Sequence, residues 1–165
     1  MKSVIFDLDL TLVDSSIAEE ARKRRDWPLV YSLIPRFGLF DGMSEVFEFL
    51  RNTGIETAIV STAPSVYVWK VIDYFSIPVK TVIGYHDALR KPSPDGMLKA
   101  MRSMGSVPEN TISFGDRAID IMASKTAGIK SVGCLWGSKE LSLLIATLPD
   151  MILTSPREII NLLQN

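Results

Sequence analysis

The stretch VIFDLDLTLVD, residues 4–14, places three carboxylates directly after an apolar run: Asp7, Asp9 and Asp14. Like charges at this spacing repel one another, and the end of a buried strand is a costly place for unpaired charge. If residues 3–6 form a strand and the backbone stays extended beyond it, Asp7, Asp9 and Thr11 point to the same side. A helix cap explains one acid after a strand more easily than two at this spacing.

Short β-branched runs recur along the chain and alternate with amphipathic stretches. The runs predicted as strands are SVIF, ETAIV, KTVI, NTISF, IKSVGCL and DMILT. Helical spacing follows Met43 and Met97, each with a later glycine as a stop, and predicts further helices over 64–75, 118–127 and 156–164. This alternation predicts an α/β fold, a Rossmann-like three-layer sandwich with a central parallel sheet. Ligands bind beyond the carboxyl ends of such strands.

Composition sets limits on the class of protein. The 165 residues suit one domain, and 18 Lys and Arg against 19 Asp and Glu give a net charge of −1. A net charge so close to zero produces no overall electrostatic field that would attract nucleic acid or an anionic membrane. The single cysteine, Cys134, excludes an internal disulfide and a multi-cysteine zinc site. With no signal-peptide core and no apolar span, we expect a cytoplasmic protein without a membrane partner.

Residues 15–40 interrupt the strand and helix rhythm. We predict a single domain over 1–165 with a minimal insert at about 15–40, made of one or two short helices interrupted at Pro28 and Pro35. A basic run, residues 22–25, precedes Trp27 there. It suits either a clamp for the rest of a phosphorylated substrate or a solvated helix face with Trp27 packed on the core. The solvated face is favoured because charge runs are usually solvated.

Polar groups follow the other predicted strands. ETAIV is followed by Ser61 and Thr62, the loop after KTVI contains Lys91, and NTISF leads to Asp116, with Asp120 four residues later. Each alone suits a helix cap or a solvated charge. Together they gather carboxylates, a hydroxyl and a cation at one edge of the sheet, and such oxygen-rich sites suit Mg²⁺.

These residues occur in a familiar order. DLDLT at 7–11, Ser61 after AIV, Lys91 in RKPSP and GDRAID at 115–120 match the four motifs of the haloacid dehalogenase-like (HAD) hydrolases in order and spacing. The sequence resembles that family over nearly its whole length. The later stretch AGIKSVGCLWG is similar to the phosphoglycolate phosphatase-like branch.

The resemblance implies a role for each motif residue. Asp7 would be the nucleophile that forms an aspartyl-phosphate, and Asp9 the acid and base. Mg²⁺ would be held by the Asp7 carboxylate, the Asp9 backbone carbonyl and Asp116. The phosphate-binding residues would be Thr11, Ser61, Thr62 and Lys91. Asp120 would support the lysine or a metal-bound water.

An acid at position 9 favours phosphatase or phosphomutase chemistry within the family, and the short insert disfavours a mutase, which must exclude water from its phospho-enzyme. We therefore predict a Mg²⁺-dependent phosphatase acting on a small phosphorylated metabolite or nucleotide, with a nucleic-acid phosphate end less favoured. The short insert leaves the site either open or covered by a second subunit in a homodimer. The alternatives are a receiver-like phosphoacceptor and a catalytically quiet regulatory relative. The side chain of Arg117 could either cover the surface or reach towards the substrate. The proposed mechanism does not require His86.

Overall fold

The computed structural model describes residues 2–165, and its elements follow the pattern of the sequence. Eight strands form within these residues: β1 Ser3–Phe6, β2 Val13–Asp14, β3 Gly38–Leu39, β4 Glu56–Val60, β5 Thr81–Ile83, β6 Thr111–Gly115, β7 Lys130–Cys134 and β8 Met151–Leu153. The same part of the chain forms eight α-helices: α1 Glu19–Lys23, α2 Trp27–Leu33, α3 Met43–Thr53, α4 Ser65–Phe75, α5 Asp95–Met104, α6 Ala118–Thr126, α7 Leu141–Ala146 and α8 Arg157–Gln164. The six predicted strands and the five helices predicted outside the insert are confirmed.

Six of the strands described form one parallel sheet in the order β5-β4-β1-β6-β7-β8. In its middle, Phe6 of β1 lies opposite Ile59 of β4 and Phe114 of β6. The chain passes from β1 to β4 on one side and later reaches β6 on the other, so β1 marks the point where the strand order reverses. A ligand crevice is expected beyond the carboxyl ends of strands at such a point. The Rossmann-like α/β prediction is confirmed.

The side chains of β1 alternate between the two faces of the sheet. Val4 and Phe6 pack in the layer that contains α3, α4 and the insert, whereas Ile5 packs with Met97 in the layer of α5. Phe6 stacks on Phe114 with 4.9 Å between ring centroids. Each fully buried apolar side chain of this kind stabilises the fold by about 1.5–3 kcal/mol. The strand that leads to Asp7 is therefore held from both faces.

The insert lies between two short strands. Val13 of β2 pairs antiparallel with Leu39 of β3, and α1 and α2 lie between them. The predicted interruption of the helices lies at residues 24–26, just before Pro28, and Pro28 itself lies in the first turn of α2, where its missing N–H removes no helical hydrogen bond. Asp26 caps that turn by accepting from Leu29 N at 3.3 Å. Pro35 follows α2 within a 3₁₀ turn, as an interruption would.

Two further features complete the fold. Helix α7, whose sequence LSLLIA has no clear helical period, was not predicted. Within residues 2–165, no helix combines the length and the apolar character needed to cross a bilayer.

Candidate active site

Three polar residues follow the three central strands and meet at one edge of the sheet. Asp7 follows β1, Ser61 follows β4 and Asp116 follows β6. Backbone hydrogen bonds just beyond the strand ends fix Asp7 and Ser61. Asp7 N donates to Phe114 O and Ser61 N donates to Ile83 O, each at 2.9 Å. All three polar residues line a single cavity of about 1040 Å³. The predicted convergence of the strand ends is therefore present.

Lys91 lies at the base of this cavity. Its Nζ donates to Asp7 Oδ1 at 2.7 Å and to Val60 O at 2.9 Å, and lies 2.6 Å from Asp120 Oδ1. Burial opposes the ammonium charge, but the carboxylates of Asp120 and Asp7 more than compensate and raise the pKa of Lys91 well above its ordinary value. The side chain is therefore a fixed positive charge beside Asp7.

Asp120 is placed by the start of α6. Its Oδ2 accepts from Arg117 N at 2.9 Å, which caps the helix, while Oδ1 faces Lys91. A Cβ added to Gly115 would lie only 2.4 Å from Asp120 Cβ. Glycine is therefore required where β6 ends. Oδ2 is thus held by a backbone hydrogen bond, whereas Oδ1 is a buried ion-pair contact of Lys91 without a hydrogen bond in the described residues, an arrangement that suits the supporting role predicted for Asp120 beside the lysine.

The acids of the site form a cluster with uncompensated charge. Oxygens of Asp7, Asp116 and Asp120 lie within 4.8 Å of one another. Burial, followed by the charges of Asp7 and Asp120, raises the pKa of Asp116 to about 9. These three acids face the ammonium group of Lys91 and the guanidinium group of Arg117, so a divalent cation with oxygen ligands would supply the remaining positive charge and favour the ionised form of Asp116. Within residues 2–165, Asp7 and Asp116 each keep one carboxylate oxygen, Oδ2, without a hydrogen bond to the protein, so these two residues fit such a group.

Asp9 also lines the cavity, and its Oδ1 is held by the protein. Ser15 Oγ donates to it at 2.5 Å and the Tyr67 hydroxyl at 2.6 Å, and Arg22 Nη1 lies 3.0 Å away. Burial, followed by the charge of Asp9, raises the pKa of Tyr67 far above its ordinary value, so its phenol remains a protonated donor. The predicted acid and base is thus anchored on one side.

Nothing in the sequence indicated two of these contacts, those that Arg22 and Tyr67 make with Asp9. The solvated interpretation of the basic run is wrong for Arg22, which points inward to Asp9, although Lys23 and Arg24 are exposed as expected. Trp27 packs on the ring of Tyr67, with 5.8 Å between centroids, as predicted for a residue covering the core. The helical spacing of α4 marked its apolar face but carried no signal that Tyr67 would reach an acid 58 positions earlier.

The structure does not bring Thr11 into the cavity. The extended run stops at Leu10, whose φ of +65° begins a turn, so the expectation that Thr11 continues the side-chain series is wrong. The buried Thr11 hydroxyl instead donates to Asp116 Oδ1 at 2.9 Å. This contact orients Asp116 and leaves the hydroxyl without access to a phosphate.

The other predicted phosphate contacts do line the cavity. Ser61 Oγ accepts from Ala63 N at 3.0 Å, which leaves its own proton free to donate. Thr62 lies beside it on the cavity wall. Asp14 accepts from the Ser16 backbone and hydroxyl and is not part of the cavity, which agrees with its interpretation as the start of the insert.

Cationic side chains surround the mouth of the cavity. The guanidinium carbons of Arg25 from the insert and of Arg90 from the loop before Lys91 lie 5.6 and 5.8 Å from the ring centre of Tyr85. Neither arginine has an ion-pair partner within residues 2–165. Arg117 lines the wall, where burial opposes its charge but Asp7 and its neighbours raise its pKa. His86 lies edge-on to the Tyr85 ring.

The amino-acid sequence is similar to those of known proteins. The haloacid dehalogenase-like hydrolase family model matches residues 32–134. The chain is 31% identical over 126 residues to a phosphoglycolate phosphatase of Aquifex aeolicus, a match that covers 72% of this chain and 55% of that protein. It is 29% identical to pyrophosphatase PpaX of Oceanobacillus iheyensis, covering 74% of this chain and 59% of that protein. The chain thus spans about half the length of the curated relatives it matches.

Solved structures share the fold. A haloacid dehalogenase-like family hydrolase from Streptococcus pneumoniae superimposes with a TM-score of 0.83 at 20% identity, covering 99% of both chains. A protein described as a predicted phosphoglycolate phosphatase from Haemophilus somnus superimposes with a TM-score of 0.85 at 20% identity, covering 99% of this chain and 98% of that one. At these identities the likeness concerns the fold alone.

Proposed function

Because the chain belongs to the haloacid dehalogenase-like hydrolases, we propose that it is a Mg²⁺-dependent phosphatase that hydrolyses a phosphate monoester through an aspartyl-phosphate on Asp7. The observation that carries this proposal is the position of Asp7, at the floor of a large cavity with a buried ammonium group 2.7 Å from its carboxylate. A carboxylate that attacks a phosphate dianion needs such a fixed positive charge close by.

In the first step an oxygen of Asp7 attacks phosphorus, and the bond from phosphorus to the leaving oxygen breaks. The free hydroxyl proton of Ser61, with Thr62 beside it, would bind a phosphoryl oxygen, and Lys91 would stabilise the charge on the transferring group. Asp9 would give its proton to the leaving oxygen. The alcohol leaves, and the phosphoryl group remains on Asp7.

In the second step Asp9 acts in reverse. Its carboxylate takes a proton from a water molecule as that water attacks phosphorus, the bond to Asp7 breaks, and inorganic phosphate is released. Asp120 keeps Lys91 in place throughout, through the 2.6 Å ion pair. Each proton that Asp9 gives in the first step is thereby recovered in the second.

The metal would be held by the Asp7 and Asp116 carboxylates and the Asp9 backbone carbonyl, with Thr11 orienting Asp116. When bound, Mg²⁺ supplies positive charge that offsets the repulsion between nucleophile and phosphate.

The cavity also supports a proposal on substrate. About 1040 Å³ lies at the upper end of what ligand pockets enclose, so the leaving group can be larger than a two-carbon acid. Arg25 and Arg90 offer guanidinium donors at its mouth. We therefore favour a phosphorylated metabolite or nucleotide with a second anionic group. The homodimer and the cytoplasmic location remain predictions from the sequence.

A regulatory role is the alternative to catalysis. A receiver-like phosphoacceptor has lost support because the matched family model is that of a hydrolase. A catalytically quiet relative keeps the fold without turnover, and only an activity measurement separates it from a phosphatase.

The function is tested with a panel of phosphate esters supplied in matched pairs with and without a second phosphate. We expect Mg²⁺-dependent release of phosphate that falls to background in EDTA and returns when Mg²⁺ is added in excess, because the acid cluster then regains its cation. Within pairs, the bisphosphate should have a KM about tenfold lower. A panel with no turnover in Mg²⁺, or with full activity in EDTA, would exclude the proposed function.

A further inference from the structure

The two carboxylate oxygens of Asp9 have different surroundings. Within residues 2–165, Oδ1 contacts Ser15, Tyr67 and Arg22, at 2.5, 2.6 and 3.0 Å, whereas Oδ2 has no hydrogen-bond partner. Asp9 lines the cavity, and its side chain is 18% exposed. Since Oδ1 is occupied, Oδ2 is the oxygen left to exchange a proton with a leaving group.

The groups that hold Oδ1 come from separate parts of the chain. Arg22 lies on α1 of the insert and also donates to Ser15 O at 3.1 Å. Tyr67 lies on α4 of the core and is fully buried. Its ring contacts Trp27 of the insert. The insert and the core therefore meet at Asp9, which links the position of the acid to the packing of the insert.

We propose that Tyr67 and Arg22 are positioning residues that hold Asp9 Oδ1 so that Oδ2 stays beside the leaving oxygen. This inference rests on the proposed phosphatase function. A general acid contributes about 10²–10⁴-fold to a rate, and only when it lies within hydrogen-bond reach of the atom it protonates. An aspartate without these contacts can turn about its two side-chain bonds and lose that reach.

A purely structural role for Tyr67 makes a different prediction. If the hydroxyl only anchored the insert, its loss would lower the rate of the first step, measured as kcat/KM, with every substrate alike. Loss of general-acid positioning instead depends on the leaving group, because an alkoxide needs a proton in order to leave and a nitrophenolate does not. The two roles are therefore separated by comparing two esters with one variant.

The experiment measures kcat and KM of Tyr67→Phe with glycerol 3-phosphate and with p-nitrophenyl phosphate in Mg²⁺. We expect kcat/KM, which reports the steps up to formation of the phospho-enzyme, to fall about 10–100-fold for the alkyl ester and less than about threefold for the aryl ester. The second step needs Asp9 as a base with either ester, so kcat alone does not separate the two roles. Tyr31→Phe is the matched control, since it removes a phenol hydroxyl from the insert with no hydrogen bond to Asp9. It should leave both rates unchanged.

Arg22 provides a second variant that does not depend on the fold tolerating a change at Tyr67. Arg22→Met should show the same preference for the aryl ester, and Arg22→Lys should recover part of the alkyl rate. Equal losses of kcat/KM with both esters, or no loss with either, would overturn the positioning role while leaving the phosphatase intact. A wild-type enzyme inactive with both esters and with the whole panel would overturn the proposed function, and this inference with it.

Discussion

Replacing Asp7 by asparagine should abolish turnover, with kcat reduced by about 10⁴-fold or more. An amide of nearly the same shape cannot form the acyl phosphate, and it withdraws one of the two carboxylates that face Asp116. Lys91 keeps its contacts with Asp120 and Val60, so the fold should persist. Steady-state phosphate release with the best ester of the panel measures the effect, with circular dichroism to check folding.

Asp14→Asn is the matched control for that variant. Asp14 belongs to the same acidic stretch but accepts from Ser16 at the start of the insert, outside the cavity. The same chemical change there should keep kcat within about threefold of wild type. An Asp7→Asn enzyme as active as Asp14→Asn would exclude Asp7 as the nucleophile.

Replacing Lys91 by methionine should lower the free energy of unfolding by about 3–5 kcal/mol and remove activity. The substitution keeps most of the apolar stem but leaves Asp7 and Asp120 without the ammonium group that contacts both of them, in a site where the lysine side chain is 2% exposed. Urea unfolding in EDTA measures the loss without a contribution from bound metal.

Lys99→Met serves as the control for the lysine change. Lys99 pairs with Asp95 one turn away on α5, with 38% of its side chain exposed, so its loss should cost less than about 1 kcal/mol. Adding Asp120→Asn to Lys91→Met should recover part of the stability, because one uncompensated carboxylate is then gone. Equal stabilities of Lys91→Met and Lys99→Met would contradict a structural role for the buried ion pairs.

The sheet, and the positions of the polar residues that follow its strands, could be predicted because both depend on simple periodicities of apolar residues. Apolar runs as short as SVIF must be covered on both faces, which indicates a parallel sheet between helices. In a parallel sheet the carboxyl ends of strands meet at one edge, so Asp7, Ser61 and Asp116 had to lie together. Apart from the phosphate-binding role of Thr11, the roles implied by the family resemblance belong to residues that lie close together.

The position of Thr11 could not be predicted because it depends on one backbone angle. Extended geometry would place Thr11 on the same side as Asp9, but Leu10 adopts a left-handed φ that is unusual for a leucine. The turn sends the Thr11 hydroxyl inward to Asp116. A local conformation selected by packing leaves no mark in a pattern of apolar and polar residues.

The anchoring of Asp9 depends on how the insert packs against α4. A run of four basic residues gives no indication of which one will turn inward, and Arg22 does so because its position on α1 faces the site. In contrast, the start of α2 could have been predicted, since Asp26 followed closely by Pro28 is typical of a helix beginning.

The central claim, a phosphoryl group carried by Asp7, is tested most directly by rapid acid quenching of Asp9→Asn during reaction with p-nitrophenyl phosphate in Mg²⁺. This ester needs no proton to leave, whereas release of the phosphoryl group needs Asp9 as a base, so the intermediate should accumulate. We predict a stoichiometric burst of nitrophenolate and, by peptide mass spectrometry, a hydroxylamine-labile phosphoryl group on Asp7. A burst that leaves Asp7 unmodified, or that places the phosphoryl group on another residue, would contradict it.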